Sequence, residues 1–209
     1  MYFNLQTNAE KFPKEIFQVI KKMKKIIVIS APSGGGKSVV SKFILEKFPN
    51  ISFSISSTTR KIREGEKDGN HYYFLTQTDF ENKIKNNEFI EYEEIFGNYY
   101  GTLKSEVDKI WTENKILLFD IDVKGAYSIK KNYPNETLLI FLKPPSIEIL
   151  AERLKNRKTE NEEQIKNRIS RAELEIEMSK NFDFIVTNSL LDETLNTVQK
   201  IINENIFNE

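Results

Sequence analysis

The chain has 209 residues, enough for one compact domain with a substantial core and subsidiary segments. Lys plus Arg and Asp plus Glu both number 31, so no net field draws it to nucleic acid or an anionic membrane, and any bound anion must be gathered by local clusters. With no cysteine and a single histidine, a disulfide framework, a thiolate zinc site and a His-rich metal centre are excluded; no apolar run approaches the ~20 residues that span a bilayer, and the expected location is cytoplasmic.

Residues 1–22 read as an N-terminal extension. Phe12, Ile16, Val19 and Ile20 fall at helical spacing, allowing a short amphipathic helix after Pro13, and Met23 is an alternative start. The chain then enters KKIIVISAPSGGGKSVVS, residues 24–41. The apolar run Ile26, Ile27, Val28 and Ile29 predicts a buried strand. Ala31, Pro32, Ser33, Gly34, Gly35 and Gly36 predict a tight loop, and Lys37, Ser38 and Val39 open a helix to about residue 47. Strand, glycine loop and helix in this order make a phosphate-binding loop. Glycines let backbone NH groups turn inward as an anion cradle, the helix N-terminus adds partial positive charge, Lys37 reaches the outer phosphates and Ser38 ligates magnesium. The expected ligand is a nucleoside triphosphate. Ala31 stands where G-x-x-x-x-G-K-[ST] has its first glycine, which the turn tolerates only at negative φ.

After Phe48-Pro49-Asn50, the alternation ISFSISS predicts a half-buried strand over residues 51–57. It leads through Arg60 and Arg63 into a polar loop with Gly65 and Gly69. Further on the pattern predicts a short strand over 71–75, a helix over 79–86 opened by the capping box Thr78-x-x-Glu81, and strands over 89–96 and 99–100 around Gly97-Asn98. Residues 51–102 thus read as a sheet-rich insert.

A helix near 104–113 returns the chain to the core, followed by a strand over 115–122 ending in Asp120 and Asp122. At the carboxyl edge of a parallel sheet such acids either hold a magnesium-bound water or cap the next helix. Another helix and a strand over 137–142 come next, then a helix capped by Ser146 and running to 156. A second capping box, Thr159-x-x-Glu162, opens a charged helix to about 180; a strand over 184–187 and a helix over 192–206 end the chain. The expected fold class is α/β: a parallel P-loop sheet flanked by helices, with core segments 23–50, 103–150 and 181–209, the insert 51–102, and a helical segment over about 151–180.

The insert concentrates Ser56, Arg60, Arg63, Glu66, Tyr72, Glu91, Tyr100 and Thr102. Arginine forks match phosphate oxygens and tyrosine hydroxyls donate to them, so this set suits a second phosphate group. Arg157, Arg168 and Arg171 lie on the helical segment, where arginines either close over a transferring phosphoryl group or pair with Glu162, Glu163, Glu173 and Glu175 on a solvated face.

The segments APSGGGKS, SISSTTRKIREGEKDGNHYYF, NNEFIEYEEIFGNYYGT, DIDVKGA, RLKNRKTENEEQIKNRI and VTNSLLD, in this order, resemble guanylate kinases over nearly the whole chain from Lys24 onward. The resemblance implies an ATP:GMP phosphotransferase, with residues 151–180 as its lid. It implies that Arg60, Arg63, Tyr72 and Tyr100 hold the GMP phosphate, that Ser56, Glu91 and Thr102 read guanine, and that Glu66 and Asp120 line the same pocket. On the ATP side it implies the loop residues Ala31 to Val39, with Lys37, Ser38, Arg153, Arg157 and Arg168 at the phosphates and Mg²⁺, Asp120 helping to hold the ion through water, and Asn188 near the adenine. Guanine offers two adjacent donors, N1-H and the N2 amine, to a carboxylate such as Glu91; adenine would leave that carboxylate unpaired.

The chain departs from the family's pattern at Ala31, at Lys124, where glutamine is usual, and at Lys158, where glycine is common. Two other readings stay open: an interaction scaffold of guanylate-kinase type, against which the retained Lys37, Ser38, Arg157 and Arg168 argue, and a P-loop kinase of another small phosphorylated substrate. Expected partners are GMP and ATP, without nucleic acid or membrane, in a monomer or homodimer.

Overall fold

The computed structural model of the chain describes residues 25–95, 97–156 and 161–207. β1 (Ile26–Ser30) is the central strand of a five-stranded parallel sheet, between β7 (Ile116–Asp120) and β8 (Thr137–Lys143). β2 (Ile51–Phe53) lies beyond β7 and β9 (Phe184–Thr187) beyond β8. Val28 faces Phe119 on one side and Leu139 on the other.

The pleat sends alternate residues of β1 to opposite faces, and because both faces are covered by helices the strand is apolar throughout. Ile27 and Ile29 pack with Val40 and Ile44 of α1 (Lys37–Lys47) and with Val198 and Ile202 of α7 (Leu191–Ile202). Ile26 and Val28 pack with Val107 and Ile110 of α3 (Lys104–Thr112) and with Ala126 and Ile129 of α4 (Val123–Asn132). Each such fully buried side chain contributes roughly 1.5–3 kcal/mol, so a charged residue at Val28 would empty one face of its support. Successive connections from β1 leave toward both sides of the sheet. The loop after β1 therefore opens onto the crevice at the carboxyl ends of the strands.

The second sheet has the order β4 (Tyr73–Phe74), β3 (Ser57–Thr58), β6 (Asn98–Leu103) and β5 (Phe89–Ile95). Phe80 of α2 (Gln77–Lys85) stacks on Phe89 and Tyr99 at ring separations of 4.2 and 5.3 Å, closing its apolar face. α5 (Ile147–Asn156) and α6 (Glu162–Met178) pack through Leu150, Leu154, Ile165 and Ala172.

The expected strand over 51–57 divides between the two sheets. Ile51 to Phe53 pair with β7, and the Ser54 NH still donates to the Leu118 carbonyl at 2.9 Å; the chain then crosses to pair with β6. The insert boundary moves accordingly, because residues 51–53 belong to the core sheet. Alternation persists through the crossing, and alternation alone does not reveal a change of partner. Glu106 of α3, buried, accepts from the Ile55 NH at 3.3 Å and the Tyr73 hydroxyl at 3.0 Å, pinning this crossing.

Both capping boxes shift. Thr76, not Thr78, accepts from the Asp79 NH at 3.1 Å, and Asn161 with Gln164 forms the reciprocal pair that opens α6. Thr159 lies outside the described residues, as does the expected N-terminal helix. The last helix leaves regular α geometry at Ile202 and widens over Asn203–Phe207.

Candidate active site

The loop between β1 and α1 is built by its glycines. Gly34 and Gly36 adopt φ of 85° and 94°, and the Gly35 NH donates to the Pro32 carbonyl at 2.8 Å. Ala31 is absent from the left-handed residues, so the first motif position accepts its methyl group, which is buried. That methyl has a consequence: a Cβ at residue 35 would stand 2.7 Å from Ala31 Cβ and 2.8 Å from the Pro32 carbonyl oxygen, so this loop requires glycine there. Lys37 curls back to donate to the Ala31 carbonyl at 2.8 Å.

A cavity of about 630 Å³ opens in front of this loop and runs between the sheets. Ser33, Lys37 and Ser38 of the loop line it together with Asp120, Asp122, Arg168 and Arg171, and the insert contributes Ser56, Tyr72, Glu91 and Tyr100. The tertiary fold thus unites residues far apart in sequence: the Arg168 guanidinium of α6 donates to the Ser33 hydroxyl of the loop.

Glu91 and Thr102 face each other across β5 and β6, both buried, and the Ser56 and Thr102 hydroxyls approach to 3.5 Å. Burial pushes the Glu91 carboxyl up to about 7, against hydrogen bonds from Thr102 that favour its charge. Glycine at 125 leaves room for it, since a Cβ there would stand 3.2 Å from Glu91 Oε2. Burial also raises Asp120, with Lys37 acting in the opposite direction.

The Arg60 guanidinium lies 5.4 Å from the centre of the Tyr72 ring, and the Tyr72 and Tyr100 rings meet edge-on at 6.1 Å. Glu66 does not line the cavity as expected. It grips Arg60 through two hydrogen bonds of 3.0 and 2.7 Å and accepts the Arg63 NH at 2.8 Å, and these contacts hold its carboxyl down at about 2. Arg63 is exposed, outside the cavity wall. The reason is local: the turn closed by the Glu66 NH on the Arg63 carbonyl at 3.1 Å folds the carboxylate back onto its own loop.

Three more residues expected on the ATP side lie on or against the elements of the loop itself. Val39 is 51% exposed on α1. Asn188, buried, donates to the Gly35 carbonyl at 2.8 Å and accepts from the Thr194 hydroxyl at 3.1 Å, so it braces the loop. Arg153 donates to the Asn188 carbonyl at 3.0 Å. Arg157 lies outside the described residues. Asp122 takes the capping alternative, its side chain accepting from the Gly125 NH at 2.9 Å, while also lining the cavity. Glu93, not singled out from the sequence, lines the cavity on the same face of β5 as Glu91; its period-two spacing from Glu91 was the available signal. Burial, with the Asp122 carboxyl beside it, pushes Glu93 up to about 7, while Lys124 and Arg171 act in the opposite direction.

A family model for guanylate kinase matches residues 23–205. The guanylate kinase of Chlorobium luteolum is 46% identical over 179 residues, covering 86% of this chain and 91% of its own length. That of Rickettsia felis is 48% identical over 183 residues, covering 88% and 95%. The crystal structure of guanylate kinase from Anaplasma phagocytophilum matches with a TM-score of 0.71 at 30% identity, covering 88% of this chain and 87% of that one. A glycine loop and a buried carboxylate lining one cavity, joined to likeness of this breadth, lead to one conclusion: the chain belongs to the guanylate kinase family.

Proposed function

We propose that the chain transfers the γ-phosphoryl group of ATP to GMP, and also to dGMP, giving ADP and the nucleoside diphosphate. The observation that carries this reading is one cavity lined both by Lys37 and Ser38 of the phosphate loop and by the buried Glu91, which pairs with Thr102 across the insert strands. Donor and acceptor nucleotides bound in that one cavity bring their phosphates together. The acceptor is already ionised, so no strong base is needed, and rate comes from positioning and charge neutralisation. In this reading Lys37, Arg157 and Arg168 offset the charge gathered between two anions, while Arg60, Tyr72 and Tyr100, with Arg63 reaching in from the rim, hold the acceptor phosphate.

The residues present fit Mg²⁺. Ser38 and Asp120, both oxygen donors, face one cavity, and among the described residues no cluster of three acidic or histidine side chains could hold a metal alone, which suits an ion arriving with the triphosphate. Ser38 would hold it directly and Asp120 through water. When bound, the ion withdraws charge from the phosphate oxygens.

A coupled ADP-release assay with MgATP across GMP, dGMP, AMP, CMP and UMP tests the reading. Turnover confined to GMP and dGMP is expected; equal turnover of AMP would refute the base reading assigned to Glu91.

A further inference from the structure

Three parts of the fold meet at Glu93. The insert supplies its carboxylate on β5; from the core, Lys124 in the first turn of α4 approaches at 3.2 Å; from α6, Arg171 approaches at 3.7 Å. Arg171 is held in turn at 2.8 Å by Asp122 of the core and at 2.8 Å by Glu175 of its own helix. The side chains of Glu93, Asp122 and Glu175 are only 18%, 16% and 12% exposed and that of Arg171 34%, so the Arg171 pairs are screened less than ordinary surface bridges, whereas Lys124, 67% exposed, is screened like one.

The position of this network matters as much as its strength. Arg171 lies three residues from Arg168, which touches Ser33 of the phosphate loop, and Glu93 lies two residues from Glu91 on the same face of β5. It therefore links the element that reaches the ATP loop to the strand that reaches the guanine wall. If α6 lifts alone, Asp122 and Glu93 lose a guanidinium in a half-buried setting; if the insert lifts alone, Glu93 leaves both cations. Separating these groups exchanges weakly screened ion pairs for hydrated ions, so either lift alone forfeits pairing, and a lift of α6 leaves Glu93 with Lys124 alone.

We propose that Arg171 and Glu93 form a clasp that makes closure of α6 and of the insert one event, so that filling either nucleotide pocket tightens the other. The proposal deepens the guanylate kinase reading and rests on it. Arg171 is here a positioning residue. Linkage requires the effect to be reciprocal: GMP tightens ATP by the factor with which ATP tightens GMP.

The test is calorimetric binding of a non-hydrolysable ATP analogue with Mg²⁺, with and without saturating GMP. In the unaltered chain GMP should tighten the analogue about tenfold or more. In Arg171→Met and in Glu93→Gln that factor should fall about fivefold, the double variant should fall no further than Arg171→Met, and Arg171→Lys should recover part of the loss. An unchanged factor in both single variants, independent losses in the double variant, or no tightening in an unaltered chain that still turns over GMP would overturn the clasp. Failure of the unaltered chain to bind or phosphorylate GMP would instead overturn the functional reading beneath it.

Discussion

The amide of Asn188 donates to the Gly35 carbonyl at 2.8 Å, so the residue that follows the last core strand braces the phosphate loop. Gly36 is what permits this approach: its φ is 94°, and a Cβ there would run into Asn188 Nδ2. Gly36→Ala should therefore reduce kcat/KM for ATP by about 100-fold or more, through a backbone the side chain strains and a brace it displaces. Asn188→Ala should be milder, about tenfold in kcat/KM with about 1–3 kcal/mol of stability lost, since the buried Gly35 carbonyl and Thr194 hydroxyl lose a partner. Steady-state kinetics and denaturant melts on both variants check this ordering; the reverse order would dispose of it.

Among the described residues Lys37 makes one hydrogen bond, to the Ala31 carbonyl, and belongs to no apolar cluster. Lys37→Met should lower kcat by about 100- to 1000-fold while shifting the melting temperature by only a few degrees. A turnover number near that of the unaltered chain would remove Lys37 from the chemistry.

The raised Glu91 carboxyl gives a signed pH dependence. A carboxylate has an ordinary value near 4.5 and Glu91 sits at about 7, so the folded state holds this proton more tightly than the unfolded chain does. Its contribution to stability is fully present below pH 4.5 and is lost as pH rises through 7, a total change of up to about 3 kcal/mol. The ligand-free protein should lose stability between about pH 5 and pH 7.5, and Glu91→Gln should reduce that slope, leaving the share that the raised Glu93 carboxyl contributes.

The same carboxyl must be charged to accept both guanine donors. GMP binding near pH 6.5 should therefore release a proton, seen as a dependence of the calorimetric heat on buffer ionisation enthalpy, and KM for GMP should rise as pH falls below 7. Binding without proton release at that pH would contradict the pairing.

Glu66 acts on Arg60 rather than on a ligand. Glu66→Gln should raise KM for GMP about tenfold and leave KM for ATP within about twofold, because the Arg60 fork loses its orientation while the loop around Lys37 is untouched. The Glu66 carboxyl lies at about 2, so the pair should persist unaltered from pH 5 to 9; equal losses for both substrates would argue against a local effect.

Much of this was legible along the chain, because the signals were local. The run from Ile26 to Ile29 had to be a strand covered on both faces, and three glycines before Lys37 had to make a loop whose backbone faces an anion. Errors fell where two local patterns looked alike. Thr76 and Thr78 both precede a helical run, and only the backbone turn decides which hydroxyl meets an NH. ISFSISS alternates identically in a core strand and in an insert strand, so its division between two sheets left no mark on its periodicity.

What the sequence determined by itself was the order of strands and helices, the phosphate loop and the kinds of side chain available to bind a purine nucleotide, since each follows from residues a few positions apart. Only the tertiary structure decided that Glu66 turns back to Arg60, that Asn188 braces the loop while Arg153 donates to Asn188, and that Glu93, Lys124 and Arg171 converge. Those outcomes depend on which charged groups are brought close together and how far they are withdrawn from water, and neither distance nor desolvation is fixed until the chain has closed on itself.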